Sequence, residues 1–142
     1  MRRLISHSEA ETERVGEELA AAAGDAVVLL EGDLGTGKTV LVRGLARAQG
    51  VDAREIQSPT YTLIHEHQGE RGRLVHVDLY RLEGEELAGL GLDELLAGPG
   101  IKAVEWAEKL EVAWGGIPGA VRVRLRRINP GERQVSIDTI DH

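Results

Sequence analysis

The sequence has no cysteine and no phenylalanine, and its two Trp and two Tyr bring the aromatic content to only 3%. Without cysteine there is no disulfide and no thiolate metal site, which agrees with a reducing compartment. Without Phe the core falls to Leu, Val, Ile and Ala. No apolar run approaches the roughly 20 residues that span a bilayer. The opening residues, MRRLISHSEAE, turn acidic before a signal-type apolar stretch develops. These absences predict a cytoplasmic protein with no membrane contact. Basic charge is also short. Lys and Arg number 17 against 24 Asp and Glu, a net charge of −7. That balance argues against a chain that grips nucleic acid by general electrostatics. No linker, repeat or low-complexity tract divides the 142 residues, so the expectation is a single domain, 1–142.

What is present starts with residues 32–39, GDLGTGKT, which fit the phosphate-loop pattern G-x-x-x-x-G-K-[ST]. The context fits too. AVVLLE (26–31) is a short apolar run of a buried strand. VLVRGLARAQ (40–49) places Val40, Leu41, Leu45 and Ala48 on one helical face, and Gly50 closes it. Strand, Gly-rich loop and helix is the arrangement the motif needs. The loop, with Asp33, Leu34, Gly35, Thr36 and Gly37, predicts a nucleotide-binding turn whose N–H groups surround phosphate oxygens at a helix start. Lys38 supplies a cation for the β- and γ-phosphates, and Thr39 a hydroxyl for Mg²⁺. The expected cofactors are therefore a nucleoside triphosphate and Mg²⁺.

The other segments predict strands over 2–5, 61–67, 73–82, 101–106, 120–128 and 133–140. QGERG (68–72) and Asn129-Pro130-Gly131 are hairpin turns. Ser8 and Glu11 fit a capping box that opens a helix over 10–23. A helix over 83–97 is interrupted by glycines at 84, 89 and 91. The fold class that follows is α/β, a three-layer P-loop NTPase fold with a mixed, partly parallel sheet and antiparallel hairpins. Two carboxylates end apolar strands: Asp78 ends LVHVD, and Glu105 ends IKAVE. Ligands of open α/β sheets sit at the carboxyl ends of the parallel strands. Either these acids face the phosphates or they cap the segments that follow. Ser58-Pro59-Thr60 is either a switch loop that brings a hydroxyl to Mg²⁺ or an ordinary turn. His65, His67 and His76 form either a metal site or a row of solvated sheet histidines. Arg122, Arg124 and Arg126 share one strand face, which is either solvated or a contact for tRNA. Trp106 faces away from Glu105 if its strand is regular, and either packs or anchors a partner.

GDLGTGKT, SPTYTL (58–63), HVDLYRL (76–82), GLDELL (91–96) and EWAE (105–108), in that order, resemble the TsaE family, also called YjeE. The departures are mild: Thr36 stands where Ala is usual, and Ala107 where Pro is frequent. The resemblance implies a small ATPase, slow alone, that supports threonylcarbamoyl modification of adenosine in tRNA. It implies action with TsaB and TsaD, and a tRNA contact that is indirect at most. It assigns Lys38 to the phosphates, Thr39 and Glu105 to Mg²⁺, Thr60 to the switch and Asp78 to hydrolysis. It also implies an adenine edge near Glu9 and Gly131. Three other functions compete. A small P-loop kinase would want an Arg-bearing lid, and a GTPase a guanine-reading N-K-x-D motif. The only Asn is Asn129, followed by Pro130. A nucleotide-gated adaptor without significant catalysis of its own is the reading that residues distinguish least.

Overall fold

The structure is a computed structural model that describes residues 2–33, 35–57, 64–82, 91–110, 117 and 119–139. Leu34, the segment 58–63 with Thr60, the first part of the expected 83–97 helix, and Trp114 lie outside the described residues.

Strand β1 (Arg2–Ser6) leads into helix α1 (Glu9–Ala23), strand β2 (Val27–Glu31) and helix α2 (Lys38–Gln49). A 3₁₀ turn (Ala53–Glu55) follows, then β3 (Ile64–Gln68), β4 (Arg73–Asp78), a short helix α3 (Leu92–Ala97), β5 (Ile101–Glu105), β6 (Val121–Asn129) and β7 (Glu132–Thr139). The seven strands form one sheet in the order β1-β7-β6-β2-β5-β4-β3. β2 runs parallel to β5 and β6, and β4 parallel to β5; the β3–β4, β6–β7 and β1–β7 pairs are antiparallel. The sheet is therefore mixed and partly parallel, with two hairpins at the expected turns.

The core lies on both faces of β2. Val28 and Leu30 pack with Leu41, Leu45 and Val15 from α2 and α1, while Val27 and Leu29 pack with Leu92, Leu96 and Leu110 on the other side. This alternation is the period-2 geometry of a strand buried on both faces. α1 and α2 approach to backbone contact at two glycines. A Cβ on Gly44 would stand 1.8 Å from the Glu13 carbonyl oxygen, and one on Gly16 would stand 2.2 Å from that of Leu41.

Local chemistry sets the element ends. The Ser8 Oγ accepts from the Glu11 N–H at 3.1 Å, as a cap should. The Glu11 carboxylate returns to the His7 N–H at 2.5 Å, one residue earlier than a standard capping box would place it. The strand expected over 73–82 stops at Asp78. There the Asp78 Oδ1 accepts the Tyr80 N–H at 2.9 Å, and the Leu82 N–H turns back to the Leu79 carbonyl at 3.0 Å. A short acidic side chain competes with the sheet ladder for backbone donors and turns the chain. Among the described residues, no helix is long and apolar enough to cross a membrane.

Candidate nucleotide site

The loop after β2 bends through three glycines at positive φ: Gly32 at 149°, Gly35 at 77° and Gly37 at 101°. At Gly32 any side chain is excluded, because a Cβ would lie 2.6 Å from the Leu125 carbonyl oxygen. Gly37 is the N-cap of α2 and offers no side-chain acceptor. The first N–H groups of α2 are thus left for a ligand at the positive end of the helix dipole. A cavity of about 450 Å³ opens over this helix start, within the usual range of small-molecule sites. Gly35, Thr36, Gly37, Lys38 and Thr39 line it on one side, Glu105 and Trp106 on another. Glu9 and Gly131 line it too, from the start of α1 and the β6–β7 turn, which His7 and Glu132 join at 2.8 Å. That turn is tied down by Arg133, which donates to the Gly35 carbonyl at 3.2 Å and to the Asn129 carbonyl at 2.9 Å.

Strand register builds the acidic wall. Asp78 on β4 is level with Glu105 on β5, so both side chains leave the sheet on the α2 face. Glu105 is 2% exposed. Its two oxygens accept from the Thr39 hydroxyl at 3.1 and 3.0 Å, and its Oε2 lies 2.5 Å from the His76 Nε2. Asp78 is also buried and gives one oxygen to the Tyr80 amide, so the capping reading describes one of its bonds. It does not line the cavity, and nor does Asp33, which faces a separate basin beside Glu31 and Glu108.

Lys38 is buried, and its Nζ donates back to the Gly32 carbonyl, with the Asp33 carbonyl at 3.5 Å. The same nitrogen stands 3.5 Å from the centre of the Trp106 ring, a cation–π contact. Burial pulls the Lys38 ammonium below its ordinary range, and the charges of Glu108, Glu105, Asp78 and Asp33 oppose that. Trp106 departs from the regular strand expected of it. Its φ is 60°, the one positive value outside glycine among the described residues. That twist breaks the alternation after Glu105 and brings the indole to the cavity, 4.9 Å from the Tyr80 ring. A non-glycine residue held there costs roughly 1–3 kcal/mol, which the surrounding contacts offset.

The histidine expectation is corrected in part. His76 is wholly buried against Glu105, so it is no solvated sheet residue. His65 and His67 meet edge to face at 6.1 Å, and His67 lies 3.7 Å from Glu55. The arginine face is only partly open. Arg122 and Arg124 reach the buried Glu31 at 2.9 and 3.4 Å, and Arg126 bonds Gln134 at 2.6 Å. Two neighbours of the site carry no sequence signal for that place: Glu108, and His76, whose expected roles were a metal ligand or a solvated sheet residue. Both lay inside quoted motifs, HVDLYRL and EWAE, yet nothing in their spacing marks them as neighbours of Glu105 and Lys38.

The chain is similar to known proteins in sequence and in fold. The family model for threonylcarbamoyl adenosine biosynthesis protein TsaE matches residues 6–135. The chain is similar to the tRNA threonylcarbamoyladenosine biosynthesis protein TsaE of Bacillus subtilis, 38% identical over 92% of this chain and 80% of that protein. It is similar to the protein of the same description from Treponema pallidum, 35% identical over 95% of this chain and 98% of that one. A Nostoc relative so described is 47% identical over 68% of this chain, and the match spans 59% of its length. Among solved structures, Bacillus subtilis YdiB superposes with a TM-score of 0.78 and 30% identity, over 98% of this chain and 85% of that one.

Proposed function

Since the chain belongs to the TsaE family, the threonylcarbamoyl adenosine biosynthesis proteins, we propose that it is a Mg²⁺-dependent ATPase serving that tRNA modification, in the cytoplasm, together with TsaB and TsaD. One observation carries the reading. A glycine loop with positive φ, a buried Lys38 and the Thr39–Glu105 pair all converge on a single cavity at the start of α2.

We assign the roles as follows. The Gly35–Lys38 amides and the Lys38 ammonium bind the phosphates. Lys38 must leave the Gly32 carbonyl and the Trp106 ring to do so, and its four acidic neighbours oppose the effect of burial on its charge. Thr39 and Glu105 are hard oxygen donors within 3.1 Å of each other, which suits a small divalent cation such as Mg²⁺. When bound there, Mg²⁺ would neutralise charge that develops on the phosphates during transfer. Asp78, level with Glu105, orients the attacking water. Thr60 acts as the switch hydroxyl. Glu9 and Gly131 flank the adenine. With Arg122 and Arg124 drawn to Glu31, contact with tRNA is indirect.

Calorimetric titration with ATP, ADP and GDP, and turnover with and without TsaB and TsaD, test this on wild type and Asp78→Ala. ATP and ADP should bind and GDP should not, and turnover should rise with the partner pair. Asp78→Ala should keep its affinity within several-fold while stimulated turnover falls by about 10², because the interaction is made mainly in the transition state. Equal binding of GDP would sink the adenine reading. Normal turnover in Asp78→Ala would return that residue to its capping role.

A further inference from the structure

We propose that His76 is a positioning residue, whose Nε2 hydrogen bond holds the Glu105 carboxylate in the orientation from which it meets Thr39 and a divalent cation. The inference rests on the reading of Thr39 and Glu105 as the Mg²⁺ ligands.

The placement of His76 is costly unless it serves Glu105. The ring is 0% exposed, in a strand whose buried neighbours Leu74 and Val75 are apolar. Its cross-strand partner on β5 is Ala103, small enough to leave room for an imidazole. Nδ1 is buried with no hydrogen-bond partner among the described residues. A buried polar atom left unpaired is unfavourable. For packing alone, an aliphatic side chain would serve better than a half-satisfied ring. Among the described residues, the one bond the ring makes in compensation is to Glu105, at 2.5 Å from Oε2. A carboxylate accepts only, so Nε2 is the donor and carries the proton.

The effect on Glu105 is geometric. This carboxylate is 2% exposed and takes two sets of donors, the Thr39 hydroxyl on both oxygens and His76 on Oε2. The Thr39 bond is the one a cation would replace, because Thr39 would then turn its oxygen lone pairs to the metal. The His76 bond lies on the sheet side and survives that change. It fixes the carboxylate plane before and after a cation arrives, as outer-sphere partners of metal ligands do.

Glutamine and asparagine separate this role from packing. The amide nitrogen of Gln reaches about where Nε2 lies, and that of Asn about where Nδ1 lies. The experiment measures affinity for a non-hydrolysable ATP analogue, with EDTA and across a Mg²⁺ titration, for wild type, His76→Gln and His76→Asn, with melting curves for each. His76→Gln should stay within about threefold of wild type in its Mg²⁺ requirement. His76→Asn should need roughly 10- to 100-fold more Mg²⁺, the usual cost of losing an outer-sphere partner, while its affinity in EDTA is unchanged. Equal Mg²⁺ requirements in all three proteins would overturn the proposal, and so would equal impairment of both variants. If His76→Asn lost affinity in EDTA to the same extent, the role would be packing and the proposal would fall. A wild type whose nucleotide affinity ignores Mg²⁺ would instead overturn the ligand assignment of Thr39 and Glu105, and this inference with it.

Discussion

Glu108 stands on the far side of the phosphate loop from the cavity, beside Glu31 and Gly32. Burial lifts its carboxyl above the ordinary 4.5; the nearby Glu31 charge adds to this, and Lys38 and the backbone amides of Glu108 and Gly32 oppose it. Its Oε1 is buried without a hydrogen-bond partner among the described residues. The folded protein therefore holds this proton to a higher pH than the unfolded chain does. Wherever the native state binds more protons, stability falls as pH rises. The Glu108 contribution is thus fully present below pH 4.5 and is lost as pH climbs through the raised value. Glu108→Gln removes that dependence. Melting temperatures of the two proteins should diverge in favour of the variant as pH rises above 4.5, and a constant difference would show that Glu108 titrates normally. The Glu108 charge is also the largest of those that oppose the downward shift of Lys38, so the variant should bind ATP more weakly.

The α1–α2 pair is the element contact with the least slack. Gly44 lies inside α2, where Ala would ordinarily gain about 1 kcal/mol of helix propensity. Here the added Cβ would fall 1.8 Å from the Glu13 carbonyl oxygen, which is backbone and cannot swing aside. Gly44→Ala must push the helices apart, at about 1–3 kcal/mol. Denaturant unfolding should show a net loss of stability; a gain would mean that the helices separate freely. Such contacts mark the limit of what the sequence discloses. The strand, glycine loop and helix around GDLGTGKT were legible because that turn demands its residue types in one local stretch. The strand ends at Asp78 and Glu105 were read from apolar runs. That the two acids lie level, and that His76 sits under Glu105, depends on the register of β4 against β5, which no local pattern carries. Trp106 was expected to face away from Glu105 only in a regular strand; the backbone turns there to φ 60°, and the indole packs against the cluster that holds Leu29 and Val104 as well as lining the cavity. Nothing local marks Gly16 and Gly44 as contact points, since their partner is a second helix.

Over the whole molecule, the site draws on distant parts of the chain. The cavity is lined by the loop after β2, by Glu105 at the end of β5 and by the β6–β7 turn, with Asp78 on β4 level with Glu105. β6 lies against β2, directly beside the loop, and the Leu125 carbonyl faces Gly32. β1, the first strand, pairs only with β7, residue Arg2 opposite Ile137. Sheets closed by such long-range pairs form late, because the loop-closure entropy precedes the gain. On the ribosome, this order separates synthesis of the motif from its use. A nascent chain that has reached residue 120 already contains residues 32–39, Asp78 and Glu105. It still lacks the strand that backs the loop and the one that holds β1. In cell-free translation, chains ending at residue 120 should be digested by protease equally with and without ATP, and chains extended through residue 139 should be protected by it. Protection of the shorter chain would mean that the cradle forms without β6. If it does not, each new molecule stays blind to ATP until its last strands have emerged, and a stalled or truncated product cannot sequester nucleotide.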